Sequence, residues 1–240
     1  MAKGHFDILL LLGRPASGKS EIIDFVKKLN PIKRSEYYHL GELKEIDDFP
    51  MLWTWFEEDD ILSREMGKTR MHTYPDGMFL FNYQWDLLIR RMNMEYQKQL
   101  RDTADFHSEY TTLIEFSRGS EHGGYKSAFS NLSDEILKRA AILYVDVTYE
   151  ESVRKNQRRF NPDKPDSILE HGLPMDKMEK LYKEIDWQDV IAGNPTHIMI
   201  NNIPVPYVVF NNMPEKTDSP DKLAQPLLES LDILWKLKNQ

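Results

Sequence analysis

The feature that most constrains this chain is a short stretch near its amino terminus, Gly13-Arg14-Pro15-Ala16-Ser17-Gly18-Lys19-Ser20, with the spacing G-x-x-x-x-G-K-S. An uninterrupted apolar run, Ile8 to Leu12, precedes it. Residues 21–29 follow it and place apolar side chains at helical spacing, namely Ile22, Ile23, Val26 and Leu29. A buried strand, a tight turn and a helix in this order are the context in which such a motif predicts a phosphate-binding loop.

Each residue type in this loop suits the predicted chemistry. Gly13 and Gly18 let the backbone curl with its amides inward, without a Cβ in the way of a phosphate. The helix that begins near Gly18 adds the positive end of its dipole. We expect Lys19 to contact the β- and γ-phosphate oxygens and Ser20 to ligate Mg²⁺. The sequence therefore predicts ATP and Mg²⁺ as cofactors, bound by the whole loop including Arg14, Pro15, Ala16 and Ser17.

Length and composition limit the remaining possibilities. A chain of 240 residues is most simply one domain, and its net charge of −8 argues against an unspecialised nucleic-acid binder, which needs a basic surface. The absence of cysteine excludes disulfides and thiolate metal sites. No apolar stretch approaches the length of about 18 residues that a membrane helix needs, and residues 1–7 lack a secretory hydrophobic segment. We expect a cytoplasmic protein with neither a nucleic-acid polymer nor a membrane as partner.

Hydrophobic periodicity predicts an α/β fold with three layers and a doubly wound sheet of five parallel strands, the first of which leads into the predicted phosphate-binding loop. The predicted strands are residues 8–12, 37–40, 111–116, 141–147 and 207–210. The predicted helices are residues 21–29, 45–60, 78–100, 133–140, a helix capped by Thr148, 175–187 and 223–237. Residues 194–206 are expected to be irregular. A helical insertion at about 42–107 is predicted to form the acceptor site.

Ligands of doubly wound sheets bind beyond the carboxyl ends of the strands, which selects several candidates. Glu42 follows the predicted second strand and is the candidate base for the acceptor hydroxyl. Glu115, in the third strand, is the candidate second ligand of Mg²⁺, with Asp146 at the end of the fourth strand as the alternative. Arg118 is expected to stabilise charge on the transferring phosphoryl group. Backbone groups of Asn211, Asn212 and Met213, after the fifth strand, are predicted to contact the nucleotide base.

A basic helix end follows the fourth strand. Arg154 and Arg158 are four residues apart, as are Lys155 and Arg159, so like charges stack and repel unless an anion lies between them. A solvated helix end is one interpretation. The functional hypothesis is that Arg154, Arg158 and Arg159 cover the transferring phosphoryl group. Residues 154–174, rich in proline toward their end, are the predicted lid.

The insertion carries aromatic and polar side chains with two interpretations each. Trp53, Trp55 and Phe56 either pack a helix into the core or form the wall of an acceptor pocket, and their exposure would mark a homodimer surface. The Gln84 side chain can form two hydrogen bonds with the planar edge of a nucleobase, although glutamines are more common at the surface. His72 and His122 are interpreted as surface residues.

This layout resembles the phosphate-loop kinases of the nucleoside and nucleotide kinase type, and more loosely the deoxyribonucleoside kinases. The second resemblance implies that Glu42 is the base, that Gln84 and Arg91 hold a nucleobase, and that Glu115 and Arg118 act as a pair. It also implies that the arginines at 154, 158 and 159 contact phosphates. The chain departs from that family because Phe116-Ser117 separates Glu115 from Arg118, which are adjacent there.

The sequence thus predicts an ATP-dependent phosphotransferase that moves the γ-phosphoryl group to a hydroxyl or phosphate of a small molecule, with nucleosides and nucleotides among the candidates. The alternative is a regulatory or catalytically silent ATP-binding protein. A guanine-nucleotide switch is disfavoured because no Asn-Lys-x-Asp element follows a strand. A motor ATPase is disfavoured because the chain is too short for a second helical domain.

Overall fold

The computed structural model describes residues 4–159 and 173–240. In this part of the chain the strands are β1 (Ile8–Gly13), β2 (Glu42–Asp47), β3 (Tyr110–Phe116), β4 (Ala140–Asp146), β5 (His197–Ile200) and β6 (Ile203–Asn211). They form one six-stranded sheet in the order β2-β3-β1-β4-β6-β5. All neighbours are parallel except β5, which is antiparallel to β6. The predicted α/β class is confirmed, with six strands instead of five.

The helices alternate with the strands, as expected for this class. They are α1 (Lys19–Lys28), α2 (Pro31–Tyr38), α3 (Asp48–Asp60), α4 (Tyr83–Asp102), α5 (Gly124–Asn131), α6 (Asp134–Arg139), α7 (Tyr149–Arg159), α8 (Met175–Tyr182), α9 (Trp187–Ile191) and α10 (Pro220–Lys238). The helix predicted over 175–187 is therefore divided into α8 and α9. Across the two described segments, no helix combines the length and the apolar character that a bilayer crossing requires.

Alternation of side chains along β1 produces the three layers. Ile8, Leu10 and Leu12 pack on one face, in a core shared with α4, α5, α6 and α9. Leu9 and Leu11 point to the other face, in a core shared with α1, α2 and α10. Because every residue of β1 is buried, the central strand reads as a continuous apolar run. The sequence signal for this strand was strong for that reason.

The second strand differs from its prediction. Tyr37 and Tyr38 end α2, which begins at Pro31, and the Asn30 side chain caps it by accepting a hydrogen bond from the Ile32 amide at 3.0 Å. Asn30-Pro31 thus starts a helix, as proline at the first helical position allows. The true strand, Glu42–Asp47, lies at the sheet edge and is mostly exposed, so it has charged residues instead of an apolar run.

The segment predicted to be irregular contains a hairpin. Asn201 and Asn202, with φ of 51° and 64°, form the two-residue turn between β5 and β6. Asparagine tolerates this left-handed conformation, which matches the twist of paired strands. Pro204 and Pro206 had argued against a strand, but they lie where β6 pairs with β5 and before its ladder with β4 begins at Tyr207.

The insertion between β2 and β3 has a small core of its own. Trp55 from α3 packs with Trp85 and Leu88 from α4. The buried Asp59 side chain accepts hydrogen bonds from the amides of residues 71–73, which fixes the connection between the two helices. The core interpretation of this aromatic segment therefore holds for Trp55.

The buried face of α10 provides a test of the packing. Leu231 is 0% exposed and lies in the core with α1, whereas Ile233 on the same helix is 52% exposed. We expect Leu231→Ala to lower the free energy of unfolding by about 2–5 kcal/mol, because it removes buried methyl groups and leaves a cavity. Ile233→Ala should change it by less than about 0.5 kcal/mol. Urea unfolding of both variants checks this, and equal effects would contradict the assigned face.

Candidate active site

The predicted phosphate-binding loop is the turn between β1 and α1, and its glycines meet a steric requirement. Gly13 has a φ of +150°, and a Cβ added there would lie 2.5 Å from the Val145 carbonyl oxygen. Gly18 has a φ of +117°, and an added Cβ would lie 2.7 Å from Nδ2 of Asn212. The loop is therefore a tightly curled backbone that packs directly on β4 and on the segment after β6.

Other elements hold this loop through its carbonyl groups. The Pro15 carbonyl accepts a hydrogen bond from Ser152 Oγ of α7 at 2.6 Å, and the Ser17 carbonyl accepts one from Asn212 Nδ2 at 2.8 Å. A trans peptide directs its C=O and the following N–H to opposite sides. The amides of Ala16 and Gly18 therefore face away from these donors, in the arrangement that binds phosphate oxygens.

Arg14 belongs to this support. Its Nε donates to the Tyr182 carbonyl at 3.2 Å and its Nη2 to the Lys183 carbonyl at 2.9 Å. These carbonyls lie at the carboxyl end of α8, where helices carry unpaired acceptors. The Arg14 side chain is thus directed to α8, and the predicted role of Arg14 in nucleotide binding is limited to its backbone.

Lys19 lies at the centre of the site. Its Nζ donates to the carbonyls of Gly13 and Arg14 at 3.3 and 3.0 Å and to Ser117 Oγ at 2.9 Å. Glu115 Oε1 lies 3.7 Å from the same nitrogen. Burial lowers the pKa of Lys19, and the charge of Glu115 partly opposes that effect. The lysine is 5% exposed and lines the main cavity.

The cavity that Lys19 lines has a volume of about 830 Å³. Pro15, Ala16 and Ser20 of the loop line it, together with residues from the carboxyl ends of β2 and β3 and from the first turn of α10. A cavity of this size falls in the usual range for small-molecule sites. It therefore has room for more than the phosphates that the loop would hold.

The structure does not bring Glu42 to this cavity, and its assignment as the base is corrected. Glu42 is the first residue of β2 and lies beside Tyr110, the first residue of β3. The phosphate-binding loop follows the last residue of β1, at the opposite edge of these parallel strands. The error follows from the misplaced second strand, because Glu42 begins the strand that it was expected to follow.

Asp47 and Asp48 occupy the place expected for Glu42. Asp47 ends β2 beside Glu115 of β3, Asp48 begins α3, and all three carboxylates line the cavity. Burial raises the pKa of Asp47 to about 8, with the charges of Glu115 and Asp48 adding to the effect. Burial also raises the pKa of Glu115, against the opposing charge of Lys19. The Asp47 side chain caps α3 by accepting the Phe49 amide at 2.9 Å, a helix-start signal that sequence reasoning missed.

Arg118 lines the cavity, as predicted from the sequence, but its guanidinium already forms an ion pair with Asp48. Nη1 donates to Asp48 Oδ2 at 2.6 Å and to the Ser117 carbonyl at 2.7 Å, and Nη2 donates to the Trp85 carbonyl at 3.2 Å. The guanidinium carbon lies 5.4 Å from the ring centroids of Trp85 and Phe116. This buried ion pair fixes the start of α3 against the turn after β3.

The anion predicted between the stacked cations of α7 is a carboxylate of the protein itself. Glu215 lies 3.0 Å from Arg154, 3.1 Å from Lys155 and 2.8 Å from Arg158. Burial alone would raise the pKa of Glu215, but hydrogen bonds from Arg158 and Lys155 outweigh it and lower the pKa to about 2. Sequence reasoning had no signal for this partner, because Glu215 is distant along the chain.

The three arginines therefore differ in their placement. Arg154 and Arg158 do not line the cavity, and their assignment to the phosphoryl group is corrected to a structural ion cluster. Arg159 does line it, with Nη2 3.2 Å from Glu21 Oε1 of α1. Of the predicted lid at 154–174, residues 160–172 lie outside the described residues.

The Asn212 side chain supports the loop, and the predicted contact of the backbone near Asn211 to Met213 with a base stays a prediction. Besides bonding Ser17, its Nδ2 donates to Thr217 Oγ1 at 2.9 Å, and its Oδ1 accepts the Lys216 amide at 2.7 Å. Asn211 Oδ1 accepts the Met213 amide at 2.8 Å. Asn212 is buried and its amide is occupied, and the segment between β6 and α10 lines the cavity through Thr217, Asp218 and Ser219.

Gln84 and Arg91 do not line the cavity either. Gln84 Oε1 accepts the Phe81 amide at 2.9 Å, at the start of α4, and the guanidinium of Arg91 lies 5.4 Å from the Trp55 ring centroid. Trp85 is the α4 residue that reaches the cavity. The assignment of Gln84 and Arg91 to a substrate is corrected, because the helix turns the position after Gln84 toward the site.

Two further predictions are corrected. His122 is 4% exposed, stacks on Trp85 at 3.8 Å between ring centroids, and is not a surface residue. Burial lowers its pKa to about 3, so its ring is neutral.

Asp146 ends β4 as expected but does not line the cavity, so the structure favours Glu115 over Asp146 for the metal.

The residues predicted for the metal have suitable chemistry. Ser20 and Glu115 line the same cavity, and hydroxyl and carboxylate oxygens are ligands that Mg²⁺ accepts. Within residues 4–159 and 173–240, no group of three or more His, Cys, Asp or Glu side chains is placed to hold a metal ion. Mg²⁺ usually completes its shell with water and substrate phosphates, so such a protein cage is not required.

Comparisons with known proteins add little to this geometry. No protein-family model and no curated protein matches the chain. Among solved structures it is similar to a sugar kinase from Janibacter sp. HTCC2649, with 13% identity, a TM-score of 0.41, and coverage of 97% of this chain and 98% of that one. It is also similar to shikimate kinase from Acinetobacter baumannii in complex with shikimate, with 16% identity, a TM-score of 0.34, and coverage of 80% and 79%. At these TM-scores the likenesses carry no functional argument, and the deoxyribonucleoside kinase resemblance stays a prediction.

The close approach at Gly18 can be tested directly. We expect Gly18→Ala to weaken binding of a non-hydrolysable ATP analogue at least about tenfold, because φ there costs an L-residue about 1–2 kcal/mol and the new Cβ meets Asn212 and Thr217. Gly67→Ala is the matched control, since Gly67 also has a positive φ of +61° but nothing within 4 Å. Titration calorimetry measures both. Unchanged affinity in a folded Gly18→Ala variant would contradict the assigned loop.

Proposed function

We propose that this protein is an ATP-dependent phosphotransferase that moves the γ-phosphoryl group to a hydroxyl of a small-molecule acceptor. The observation that carries the proposal is the meeting, at one cavity of about 830 Å³, of the loop lysine with a buried arginine and three carboxylates, namely Lys19, Arg118, Asp47, Asp48 and Glu115. Phosphoryl transfer needs positioning and charge stabilisation more than covalent chemistry by the protein, and this set supplies both.

The loop would hold the β- and γ-phosphates with its amides, including those of Ala16 and Gly18 that face away from Ser152 and Asn212. Lys19 would release the carbonyls of Gly13 and Arg14 and extend to a phosphate oxygen, exchanging neutral acceptors for an anionic one, which forms the stronger hydrogen bond. Mg²⁺ would be held by Ser20 and Glu115, where it neutralises phosphate charge. Arg118 and Arg159 line the same cavity, and each would stabilise the equatorial oxygens by exchanging its carboxylate partner, Asp48 or Glu21, for a phosphate oxygen.

Asp47 is the best candidate for the base. Asp48 is held by Arg118 at 2.6 Å, whereas no ion pair joins Asp47 to another described residue. The acceptor O–H would give its proton to the Asp47 carboxylate while its oxygen bonds to the γ-phosphorus. The bond from that phosphorus to the β–γ bridging oxygen would break, and ADP would leave with the electron pair. A base is most effective when its pKa lies near the working pH, and burial raises the pKa of Asp47 to about 8.

A regulatory or silent ATP-binding protein stays the alternative, and acceptor dependence distinguishes the two. A phosphotransferase forms ADP much faster with its acceptor than without it, whereas a silent binder shows no such dependence.

Removal of the loop lysine is the first test. We expect Lys19→Ala to lower acceptor-dependent ADP formation by about a thousandfold or more, because the transferred phosphoryl group loses its main cationic contact. Lys28→Ala is the control, since Lys28 also lines the cavity but is exposed and paired with Asp24 at 2.6 Å. Coupled-enzyme kinetics measure both. A full rate in Lys19→Ala would refute the mechanism.

The pH dependence tests the base. The active form of Asp47 is the carboxylate, so kcat/KM should rise with pH, reach half of its limiting value near pH 8 and level above that, as the free enzyme titrates. Asp47→Asn should lower kcat by about 10²–10⁴-fold and remove this rise, because the amide cannot take a proton. Asp24→Asn, at another cavity position, should retain the profile. A wild-type pH profile in Asp47→Asn would assign the base elsewhere.

A further inference from the structure

A buried cation of α7, Lys155, contacts the predicted phosphate-binding loop from outside the cavity. Lys155 is 3% exposed and is not among the residues that line the cavity. Its Nζ lies 3.5 Å from the Ser17 carbonyl oxygen and donates to Thr217 Oγ1 at 3.1 Å. Arg154 and Arg158 on the same helix are 51% and 55% exposed. Lys155 is thus the cation through which the ion cluster of α7 reaches the loop.

The ion cluster around Lys155 has an excess of positive charge. Its cations are Arg154, Lys155 and Arg158, and the described carboxylates that pair with them are Glu215 and Glu151. Burial opposes the ionisation of Glu215, but hydrogen bonds from Arg158 and Lys155 lower its pKa to about 2. A hydrogen bond from Arg154 lowers the pKa of Glu151. Both carboxylates are therefore charged at neutral pH, and three cations against two carboxylates leave one positive charge beside the loop.

This charge makes the next amide of the loop a stronger donor. Asn212 Nδ2 and Lys155 Nζ approach the same oxygen, the Ser17 carbonyl, at 2.8 and 3.5 Å. A cation at a carbonyl oxygen polarises the peptide unit, so the Gly18 N–H of that unit becomes more positive. Because the peptide is trans, this N–H faces away from Lys155, in the direction from which a phosphate would bind.

The same cation orients a second donor. Thr217 Oγ1 accepts hydrogen bonds from Lys155 Nζ and from Asn212 Nδ2, at 3.1 and 2.9 Å. A hydroxyl oxygen has two lone pairs, and since both are used here, the hydroxyl proton is left for a third partner. Thr217 is 7% exposed and lines the cavity, and no other described residue accepts that proton. A ligand in the cavity can therefore accept it.

We infer that Lys155 is a positioning residue of the nucleotide site. It touches no ligand, but its charge strengthens the hydrogen bond that the Gly18 amide gives to a phosphate, and it orients the Thr217 hydroxyl toward an oxygen of the nucleotide. This inference rests on the proposed phosphotransferase function and extends it. Because Lys155 and the loop are buried, solvent screens the effect weakly. Glu215 opposes the charge of Lys155 and thereby moderates the affinity for the nucleotide.

A binding measurement tests this without an acceptor. Titration calorimetry gives the affinities for a non-hydrolysable ATP analogue with Mg²⁺ and for inorganic tripolyphosphate. We expect Lys155→Met to weaken both about tenfold, because methionine nearly keeps the length of the side chain without its charge. The variant should fold, since Arg154 and Arg158 still pair with Glu215. A folded Lys155→Met protein with full affinity, or with a loss confined to the ATP analogue, would overturn the inference.

Arg158→Met is the matched control. Arg158 also pairs with Glu215, at 2.8 Å, but it is 55% exposed and its hydrogen bonds do not reach the loop. Because solvent screens an exposed charge, its loss should change both affinities less than about twofold. An effect as large as that of Lys155→Met would mean that the overall charge of α7, and not the contact at Ser17, sets the affinity, and the inference would be wrong.

Glu215→Gln separates the charge of Lys155 from a structural role of the cluster. If Lys155 acts by its charge, removal of the opposing carboxylate should tighten binding of both ligands about twofold, although three ion pairs are lost. Weaker or unchanged binding in Glu215→Gln would contradict the inference, because a cluster that only holds the loop in shape predicts a loss. Thermal unfolding shows which variants are folded, and either one decides alone if the other is not. If the wild-type protein binds neither ligand, the proposed function itself fails.

Discussion

The hydrogen bond from the Asn212 side chain to the Ser17 carbonyl is the contact on which the candidate site most depends. Because a peptide is planar and trans, a donor that holds a carbonyl on one side also fixes the next amide on the other. Ser152 acts in the same way on Pro15. The curl of the loop is thus maintained by α7 and by the segment after β6, and glycine is needed where these elements approach the backbone. The conformation of the predicted phosphate-binding loop therefore depends on three parts of the chain: the β1–α1 turn itself, α7, and the segment after β6.

The second constraint is the crowding of carboxylates at the ends of β2 and β3. Strand register brings Asp47 beside Glu115, Asp48 follows Asp47 at the start of α3, and burial raises the pKa of Asp47 and of Glu115. Arg118 compensates one of them, and Lys19 lies close to another. The remaining carboxylate, Asp47, has a pKa raised to about 8. Groups with perturbed pKa values cluster at functional sites. Burial is the main cause of the raised pKa of Asp47, and the neighbouring charges of Glu115 and Asp48 add to it.

Glu215 shows how a charge pattern on a helix can mislead. Four cations at spacing four on α7 predict an external anion by repulsion alone, and the argument for an anion was sound. The anion that the structure supplies is a side chain from the segment after β6. Because that segment also carries Asn212, the ion cluster and the loop contact attach the same short stretch to the rest of the domain.

The sequence alone determined the central strand, the loop, the first helix and the α/β class, because these depend on local patterns: a continuous apolar run, glycines at fixed spacing, and helical periodicity. It also identified Lys19, Ser20, Glu115 and Arg118, which follow from that local frame and line the cavity. The exposed edge strand β2 and the hairpin after Asn194 escaped detection, since charged edge residues and prolines hide a strand whose partner is not local. Glu42 was misassigned together with the strand that it begins. Gln84 was misassigned because α4 directs Trp85 to the cavity, and Arg154 because its partner Glu215 is distant along the chain. Only the tertiary structure decided which carboxylate faces the loop and which cation is already paired, because both depend on strand register and on contacts between distant segments.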